Sequence, residues 1–370
     1  MAEAVLARVE EIDNGVKLGR ITLNSEATLN SLSLEMIDQI QIALDQWRND
    51  SSITAIFFDA AGEKAFSAGG DIQNLYHDMV KTPGGPCTYC EHFFEREYRL
   101  DYDLRRYPKP TIAWGHGIIM GGGLGIFSAC QLRIGTETTR MAMPEITIGL
   151  FPDAGATYSF SKIDPVWAHF LALTGANING EDAKYIGLLD TLILHSQKDC
   201  FIKGLSNLPL HASAPSDLAG LAEDFQSPED AFPASQIRAN EDLLREALEM
   251  TLKSSNPILT FSEQTALWPD EPWLNRASKS FLGGSPTTAA IIIEQFERAK
   301  TMDLKSMFQM ELNIAVACSR QGEFSEGVRA LLIEKDGNPK WQHTLGAVPD
   351  AVVESHFADH WQQHPLADLA

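Results

Sequence analysis

The segment from Thr111 to Leu132, TIAWGHGIIMGGGLGIFSACQL, constrains the fold most, because it contains no Asp, Glu, Lys or Arg. Its length suits a membrane span. The run Gly121-Gly122-Gly123 in its middle argues against one continuous helix, since each glycine lowers helix stability. We therefore predict a buried strand, a tight glycine turn and the start of a buried helix.

Short apolar runs and amphipathic stretches alternate around this segment. Asp13-Asn14-Gly15 separates two of the runs and is a hairpin signal. The alternation continues to about Ile193, which predicts an α/β fold with buried strands. The predicted strands cover 5–12, 16–23, 53–58 and 111–114, and the predicted helices begin near Ser33 and cover 90–106.

The second half of the chain has a different pattern. Residues 208–236 are rich in Pro, Ala, Ser and acidic side chains, which predicts a loose connection with short helices. Beyond Asn240 the spacing of apolar residues is helical. The sequence therefore predicts an α/β core over 1–205, followed by an α-helical C-terminal region over 206–370.

The chain is strongly acidic, with 29 basic and 50 acidic side chains and a net charge of −21. Such a charge argues against binding to nucleic acid, which requires a basic face, and against docking on an anionic membrane. It is compatible with a small anionic ligand, because a few amide N–H groups can form a local positive site. We expect a small-molecule substrate, with neither nucleic acid nor membrane as a partner.

The 5 cysteines have irregular spacing, which predicts a reducing compartment rather than a disulfide framework. Cys87 and Cys90 form a lone C-x-x-C motif, whereas a zinc ribbon needs a second pair. We therefore expect no metal site and no separate cofactor. The first residues show no basic segment followed by an apolar one. We expect a cytoplasmic location, or the mitochondrial matrix if a leader has been removed.

Two glycine-rich segments are candidate binding loops: Lys64–Asp71, KAFSAGGD, and Met120–Gly125, MGGGLG. Each one alone is compatible with an ordinary turn. Together they contain the components of an oxyanion hole, namely two backbone N–H donors from separate loops. Neither follows the G-x-G-x-x-G or G-x-x-x-x-G-K-[ST] pattern, so the sequence does not indicate a dinucleotide site or a P-loop.

Glu145 and Asp153 are the candidate acid–base residues, since both lie in the mostly apolar segment MPEITIGLFPDAG. Desolvation raises the pKa of a carboxyl group and suits it to proton transfer. The alternative for Glu145 is a structural role in the first turn of a helix after Pro144, and the alternative for Asp153 is a structural role in a turn before Gly155. No G-x-S-x-G motif supports a serine nucleophile, and we interpret His116 as a core residue.

Three motifs resemble the crotonase (enoyl-CoA hydratase/isomerase) superfamily: KAFSAGGDI, HGIIMGGGLG and AMPEITIGLFPD. Within it the chain is most similar to the 3-hydroxyisobutyryl-CoA hydrolases. That narrower match rests on FFEREY at 93–98, SPTT at 285–288 and GEFSEGVRA at 322–330, which continues to Trp341. The resemblance covers nearly the whole chain and is weakest between about 195 and 280.

The resemblance implies a crotonase-type spiral of ββα units followed by a helical C-terminal region. It also implies an acyl-CoA substrate whose thioester carbonyl lies between the N–H groups of Gly70 and Gly122. Glu145 and Asp153 would be catalytic, and Glu97 would contact the substrate. Further substrate contacts are implied at Lys64, Phe66, Ala68, Asp71 and Ile72. Coenzyme A is then part of the substrate rather than a cofactor. Other members often form homo-oligomers.

One position separates the subfamilies. Hydratases carry a glutamate two residues beyond the triple glycine, where this chain has Gly125, whereas Asp153 is absent from typical hydratases. We therefore predict hydrolysis of a short β-hydroxyacyl-CoA. The first expected substrate is 3-hydroxyisobutyryl-CoA, as in valine degradation, and the second is 3-hydroxypropionyl-CoA. The alternatives are hydration or isomerisation through an enolate, and an acyl-CoA-binding protein without catalysis. The chain departs from the family in its Ser25-Glu26, where Arg-Pro is usual, and in having fewer glycines after Asp153.

Overall fold

The computed structural model describes residues 3–208 and 215–370. The strands within them are β1 (Val5–Glu11), β2 (Lys17–Leu23), β3 (Ile53–Ala60), β4 (Ala65–Ser67), β5 (Thr111–Gly115), β6 (Ile118–Met120), β7 (Leu132–Gly135), β8 (Arg140–Ala142), β9 (Ile178–Asn179) and β10 (Thr191–Leu192). The α-helices are α1 (Leu34–Arg48), α2 (Ile72–Met79), α3 (Thr88–Arg105), α4 (Gly122–Ala129), α5 (Ala156–Phe160), α6 (Pro165–Thr174), α7 (Gly180–Ile186), α8 (Lys198–Gly204), α9 (Pro215–Phe225), α10 (Gln236–Ala239), α11 (Glu241–Lys253), α12 (Pro257–Thr265), α13 (Pro272–Gly283), α14 (Pro286–Ala299), α15 (Leu304–Gln321), α16 (Glu323–Val328) and α17 (Asp350–Phe357).

The chain divides into two compact units, each assembled from segments that are distant in sequence. The first comprises the described parts of Met1–Gly70, Leu100–Met141 and Ile178–Ser235. The second comprises Asp71–Arg99, Ala142–Asn177 and Gln236–Ala370. The sequence analysis divides the chain at residues 205 and 206 into two continuous regions. That domain boundary stays a prediction.

The strands of the first unit form a six-stranded sheet in the order β1-β2-β3-β5-β7-β10 and a four-stranded sheet in the order β4-β6-β8-β9. β1 pairs antiparallel with β2, with Val5 opposite Leu23, as the hairpin signal predicts. The later pairs of the larger sheet are all parallel. Every residue of β3 is buried, which is typical of a parallel sheet covered on both faces. The predicted α/β fold is confirmed.

The core of the first unit lies between the larger sheet and helices α8 and α9. Phe57, Trp114 and Ile134 on the strands form one buried cluster with Phe201 and Leu218 on the helices. Burial of large apolar side chains of this kind contributes roughly 1.5–3 kcal/mol for each. This cluster holds the central strands in place, and the candidate loops begin at the ends of neighbouring strands.

The uncharged segment forms the predicted strand, glycine turn and buried helix, with a further short strand, β6, between the first strand and the turn. It supplies β5 and β6 and then α4, all of whose residues are buried. Gly121, just before α4, has φ 49° and ψ −131°, a conformation that residues with a Cβ rarely adopt. Among the helices of the described residues, none is both long enough and apolar enough to cross a membrane.

Gly117 joins β5 to β6 and is the position in this turn least able to accept a side chain. Its φ is +61°, and a Cβ there would lie 2.2 Å from the carbonyl oxygen of Lys64. We expect Gly117→Ala to lower the free energy of unfolding by about 3 kcal/mol or more, measured by urea denaturation. Gly220→Ala in α9 is the control, because nothing lies within 4 Å of its Cβ position. An equal effect of both substitutions would contradict the prediction.

The second unit is largely helical, and α11 to α17 confirm the predicted helical C-terminal region. The predicted loose connection over 208–236 contains α9 and a 3₁₀ helix at Glu229–Ala231. Residues 209–214 of that connection lie outside the described residues.

Candidate active site

The first glycine-rich segment contains β4 and the turn that follows this strand. Gly69 has φ +106°, and its carbonyl accepts the N–H of Leu32 at 2.8 Å. The N–H of Ala68 donates to the carbonyl of Leu29 at 3.0 Å. These bonds fix the backbone of the loop, and within the described residues neither of them uses the N–H of Gly70, which is the first candidate donor.

Gly122 is the first residue of α4. N–H groups in the first turn of a helix have no acceptor within the helix, and the helix N-terminus carries a partial positive charge. The hydrogen-bond ladder begins after Gly122, with the N–H groups of Leu124 and Gly125 donating to the Gly121 carbonyl at 2.8 and 3.1 Å. The N–H of Gly122 is thus the second candidate donor.

The two glycine loops lie in direct contact within the first unit. A Cβ on Gly123 would lie 2.5 Å from the Cβ of Ser67, and a Cβ on Gly69 would lie 3.4 Å from the carbonyl oxygen of Met120. Larger residues at these positions would push the loops apart. Two backbone N–H donors on adjacent loops are the arrangement that an oxyanion hole requires.

Three of the predicted substrate contacts lie at or beside β4. Lys64 is exposed and Ala68 is half-buried. Phe66 is fully buried, and its ring lies edge-on to that of Phe127 with 6.0 Å between centroids. The side chain of Phe66 is therefore part of the core. The contacts of all three residues with a substrate stay predictions.

The predicted contacts Asp71 and Ile72 begin α2. Asp71 is the N-cap of this helix, and its Oδ1 accepts the N–H of Asn74 at 3.3 Å. This cap accounts for the aspartate without a ligand. Ile72 is half-buried, and the roles of both residues toward a substrate stay predictions.

Glu145 lies in the second unit, at the start of a 3₁₀ helix that follows Pro144. Its side chain is only 5% exposed, and among the described residues its Oε2 has no hydrogen-bond partner. Burial raises the pKa of Glu145 well above its ordinary value, and the nearby charge of Asp153 adds to this effect. An unpartnered buried carboxyl oxygen is costly to keep, and such groups concentrate at sites of chemistry.

The short helix that begins with Glu145 is held by the two C-terminal motifs of the resemblance. A Cβ on Gly149 would lie 2.5 Å from the carbonyl oxygen of Glu323. Ser285 donates from its hydroxyl to the carboxylate of Glu323 and from its N–H to the carbonyl of Ile146 at 2.9 Å. The motifs SPTT and GEFSEGVRA therefore have a structural role in positioning Glu145.

Asp153 is the second buried carboxylate of this unit, at 4% exposure. Its Oδ2 accepts a hydrogen bond of 2.6 Å from the hydroxyl of Tyr98, which is on α3. Burial raises the pKa of Asp153 from 3.8 to about 7; the Tyr98 hydrogen bond opposes this increase, and the charge of Glu311 adds to it. Glu97, the predicted substrate contact, is the neighbour of Tyr98 on α3 and is also buried. Asp153 can therefore exchange a proton near neutral pH.

Two side chains of the C-terminal helices hold the backbone that follows Asp153. Glu311 on α15 accepts the N–H groups of Gly155 at 2.8 Å and of Thr157 at 2.9 Å, one with each carboxylate oxygen. Gln295 on α14 donates to the Thr157 hydroxyl at 2.7 Å. The loop is thus fixed by hydrogen bonds from two buried side chains, which gives a rigid geometry.

Ala154 has a strained backbone conformation in the same loop. Its φ is 53°, in the left-handed region that costs a residue with a Cβ roughly 1–2 kcal/mol. The resemblance leads us to expect more glycine after Asp153, and the backbone keeps the conformation that glycine favours although alanine occupies it.

If Asp153 transfers a proton as predicted, two substitutions should shift the pH dependence of activity in opposite directions. We expect Tyr98→Phe to raise the pKa of Asp153, because the carboxylate loses a hydrogen bond, and Glu311→Gln to lower it, because a neighbouring negative charge is removed. The acidic limb of kcat/KM for thioester hydrolysis should move up and down by on the order of one pH unit, respectively. Gln295→Ala is the control, since it loosens the loop without changing charge. Shifts of both variants in one direction would contradict the assignment.

Sequence reasoning does not single out Tyr98, Glu311 or Gln295 as site residues. Tyr98 belongs to the FFEREY motif, but the spacing within that motif does not show its contact with Asp153. Glu311 stands in the apolar stretch MFQMELNIAVAC, and a lone acid on an apolar helix is the one signal that points to it. Only the tertiary structure brings these side chains together.

The second unit also contains a cavity of about 280 Å³ between α5, α6 and α14. Its lining includes Phe160, His169 and Phe296, with Lys162 and Lys300. None of the predicted catalytic or substrate-contacting residues lines it. We therefore do not assign it to the acyl group.

Comparison with known proteins places the chain among enzymes that act on CoA thioesters. Residues 18–357 match the profile of the family described as enoyl-CoA hydratase/isomerase. The chain is 33% identical over 343 residues to "3-hydroxyisobutyryl-CoA hydrolase, mitochondrial" of Danio rerio, covering 92% of this chain and 87% of that protein.

Solved structures resemble the whole chain. A carnitinyl-CoA dehydratase from Mycobacterium thermoresistibile superimposes with a TM-score of 0.84 at 30% identity, covering 99% of both chains. An enoyl-CoA hydratase from Rhodobacter sphaeroides gives a TM-score of 0.80 at 28% identity, covering 96% of this chain and 97% of that one. Both matches extend over the C-terminal helices, in agreement with the predicted fold class.

Proposed function

This chain belongs to the enoyl-CoA hydratase/isomerase family, and we propose that it hydrolyses the thioester of a short β-hydroxyacyl-CoA. 3-Hydroxyisobutyryl-CoA is the first substrate in this proposal and 3-hydroxypropionyl-CoA the second. The observation that carries it is Glu145, a buried carboxyl whose Oε2 has no partner among the described residues and whose neighbour Asp153 has a pKa of about 7. The name of the Danio rerio relative supports the same reaction.

Glu145 acts in its ionised form as the nucleophile. One carboxylate oxygen forms a bond to the thioester carbon, the C–S bond breaks, and CoA leaves as the thiolate, which takes up a proton. A mixed anhydride between the acyl group and Glu145 remains. Water then attacks the Glu145 carbonyl carbon, which releases the free acid and regenerates the carboxylate. Asp153 takes the proton of that water and later returns it to solvent.

The attack places a negative charge on the thioester oxygen. In the proposal the N–H groups of Gly70 and Gly122 donate to this oxygen. A preorganised donor of this kind lowers the barrier by roughly 3–4 kcal/mol. Glu97 contacts the β-hydroxyl group of the substrate, as the resemblance implies.

The test of the reaction measures free thiol with a colorimetric reagent after the protein is mixed with 3-hydroxyisobutyryl-CoA, with 3-hydroxypropionyl-CoA and crotonyl-CoA alongside. We expect thiol release from the two β-hydroxyacyl thioesters. If 3-hydroxyisobutyryl-CoA binds but releases no thiol, the hydrolase proposal is wrong.

The test of the mechanism is a single turnover in water labelled with ¹⁸O. Formation of the anhydride, followed by attack of water on the Glu145 carbon, leaves the first product unlabelled and puts the label in Glu145. A labelled first product with no label in Glu145 would contradict this sequence of steps, since it arises from direct attack of water on the thioester, with Glu145 as a general base, or from attack on the acyl carbon of the anhydride.

The second candidate function is hydration or isomerisation through an enolate, because the two solved structures that match the whole chain are named as a dehydratase and a hydratase. The same pair of N–H donors would stabilise an enolate oxygen. Gly125 speaks against it, because no carboxylate stands at that position. Exchange of the substrate's α-proton with deuterium from solvent, without release of CoA, would favour this candidate. Tight CoA binding with no reaction of any thioester would favour a binding protein.

A role in valine degradation follows from the proposed substrate and belongs to the proposal. The word mitochondrial in the name of the relative agrees with the matrix alternative for location. Cytoplasm or matrix, and assembly into homo-oligomers, stay predictions.

A further inference from the structure

Three side chains of metal-ligating type meet in the second unit, outside the carboxylate site. Asp78 lies at the end of α2, Cys87 just before α3, and Cys90 in the first turn of α3. One carboxylate oxygen and the two Sγ atoms all lie within 4.8 Å of one another. The C-x-x-C motif alone gave no reason to expect a metal, because its spacing supplies only two ligands. The fold adds the third from the preceding helix.

The carboxylate of Asp78 is fixed beside the two thiols by the backbone. Its Oδ2 accepts the N–H of Tyr89 at 2.9 Å and that of Cys90 at 3.4 Å. Oδ1 is left facing Lys81 at a looser 4.0 Å. The two backbone N–H groups therefore hold the Asp78 carboxylate in place beside the thiols.

The spacing of the three groups is close to that of a tetrahedral zinc site. Zinc–sulfur bonds of about 2.3 Å and zinc–oxygen bonds of about 2.0–2.2 Å place ligand atoms roughly 3.5–3.8 Å apart. Because the three ligand atoms all lie within 4.8 Å of one another, they need to approach by no more than about 1.3 Å to reach these separations. Two sulfurs and one oxygen favour zinc over magnesium or calcium, which prefer oxygen alone.

The surroundings suit a buried cation with access from the surface. Cys87 is 1% exposed and Cys90 is 0% exposed. The thiol of Cys87 contacts the carbonyl oxygens of Ser319 at 3.3 Å and Gly85 at 3.7 Å, and that of Cys90 contacts the carbonyl oxygen of Leu75 at 3.4 Å. The two thiols also interact with each other, and all of these are weak hydrogen bonds. The segment at 81–86 immediately before Cys87 is mostly exposed, so solvent reaches the edge of the cluster.

The charge balance also permits a metal. A divalent cation with two thiolates and one carboxylate carries a net charge of about −1. The positive N-terminal end of α3 faces this charge, and Lys81 lies beside Asp78. Arg320 is close by, paired with Glu91 at 2.5 Å. Lys81 and the N-terminal end of α3 offset part of the residual negative charge, whereas the charge of Arg320 is balanced by Glu91.

We propose that Asp78, Cys87 and Cys90 bind one thiophilic divalent cation, preferentially zinc(II), which joins α2 to α3. Binding releases the two thiol protons and forms two metal–sulfur bonds and one metal–oxygen bond. Water or the carbonyl oxygen of Ser319 takes the fourth position. The metal has a structural role: it holds the start of α3, the helix that carries Glu97 and Tyr98 further along. This role is independent of the reaction proposed above.

The experiment titrates metal-free, reduced protein with cobalt(II), which reports thiolate ligands through a charge-transfer band in the near ultraviolet. We expect a band that saturates at one cobalt per chain and that zinc(II) displaces. Cys87→Ser and Cys90→Ser should each abolish the band. Asp78→Asn, which keeps an oxygen to cap α3, should weaken cobalt binding by at least about tenfold.

Cys200→Ser is the matched control, because Cys200 is a free cysteine that is exposed. It should leave the titration unchanged. Circular dichroism of each variant checks that it is folded, and zinc(II) should raise the Tm of the wild type but not of folded Cys90→Ser. Absence of the band in the wild type, or its persistence in the double variant Cys87→Ser/Cys90→Ser, would overturn the proposal. So would a Tm increase that does not depend on Cys90.

Discussion

Glu145→Gln is expected to lower kcat for thioester hydrolysis by at least about 10³-fold, with the affinity for the acyl-CoA nearly unchanged. The amide has the same shape as the carboxyl group, but it can neither attack the thioester carbon nor accept a proton. The measurement is free-thiol release under saturating 3-hydroxyisobutyryl-CoA, together with the Kd of the unreacted thioester for the variant.

The control for this loss is another buried glutamate. Glu181 on α7 is 6% exposed and lies in the first unit, so Glu181→Gln tests what removal of a buried charge does by itself. We expect it to keep most of the activity. Glu145→Asp moves the carboxylate back by one methylene, and a misplacement of about 1 Å costs on the order of 10²-fold. More than about a tenth of wild-type activity in Glu145→Gln would remove this residue from the chemistry.

Asp153→Asn is expected to lower kcat by about 10²–10⁴-fold and, at the same time, to raise stability at pH 8. The pKa of Asp153 rises from 3.8 to about 7 in the folded protein, so the folded state holds the proton more tightly than the unfolded chain. The associated stability is fully present below pH 3.8 and is lost as pH increases through about 7. At pH 8 the wild type therefore carries a buried charge that the asparagine lacks.

Urea denaturation at pH 5 and pH 8 measures this effect. We expect the free energy of unfolding of Asp153→Asn to exceed that of the wild type at pH 8 by on the order of 1–3 kcal/mol, and by less at pH 5. The asparagine oxygen can still accept the Tyr98 hydroxyl, so that hydrogen bond is not the source of the difference. A variant that is less stable than the wild type at pH 8 would show that Asp153 serves packing rather than proton transfer.

The expected stability gain of Asp153→Asn reflects the position of two carboxyl groups in mostly apolar surroundings. Asp153 and Glu145 are kept in surroundings that disfavour their charged forms, and Tyr98 compensates only one oxygen of one of them. This cost in stability is what a site with acid–base or nucleophilic chemistry carries.

The sequence by itself determined several elements of the first unit and the local motifs of the candidate site. Alternating apolar runs predicted the strands, Asp13-Asn14-Gly15 predicted the hairpin, and the triple glycine predicted the turn before α4. Each of these signals is local, because the backbone preference of glycine and the period of apolar residues act over a few positions. The motifs containing Glu145 and Asp153 were equally visible, since each is a short uninterrupted stretch.

The tertiary structure alone decided which distant side chains act on those residues. Tyr98, Gln295 and Glu311 reach the Asp153 loop from three helices, and Asp78 joins Cys87 and Cys90 from a separate one. The periodicity of apolar residues does not predict these contacts, because they depend on how helices distant in sequence pack together. Burial works in the same way: a carboxyl group has an ordinary pKa in the unfolded chain, and it is raised at Glu145 and Asp153 only when packing removes water from both.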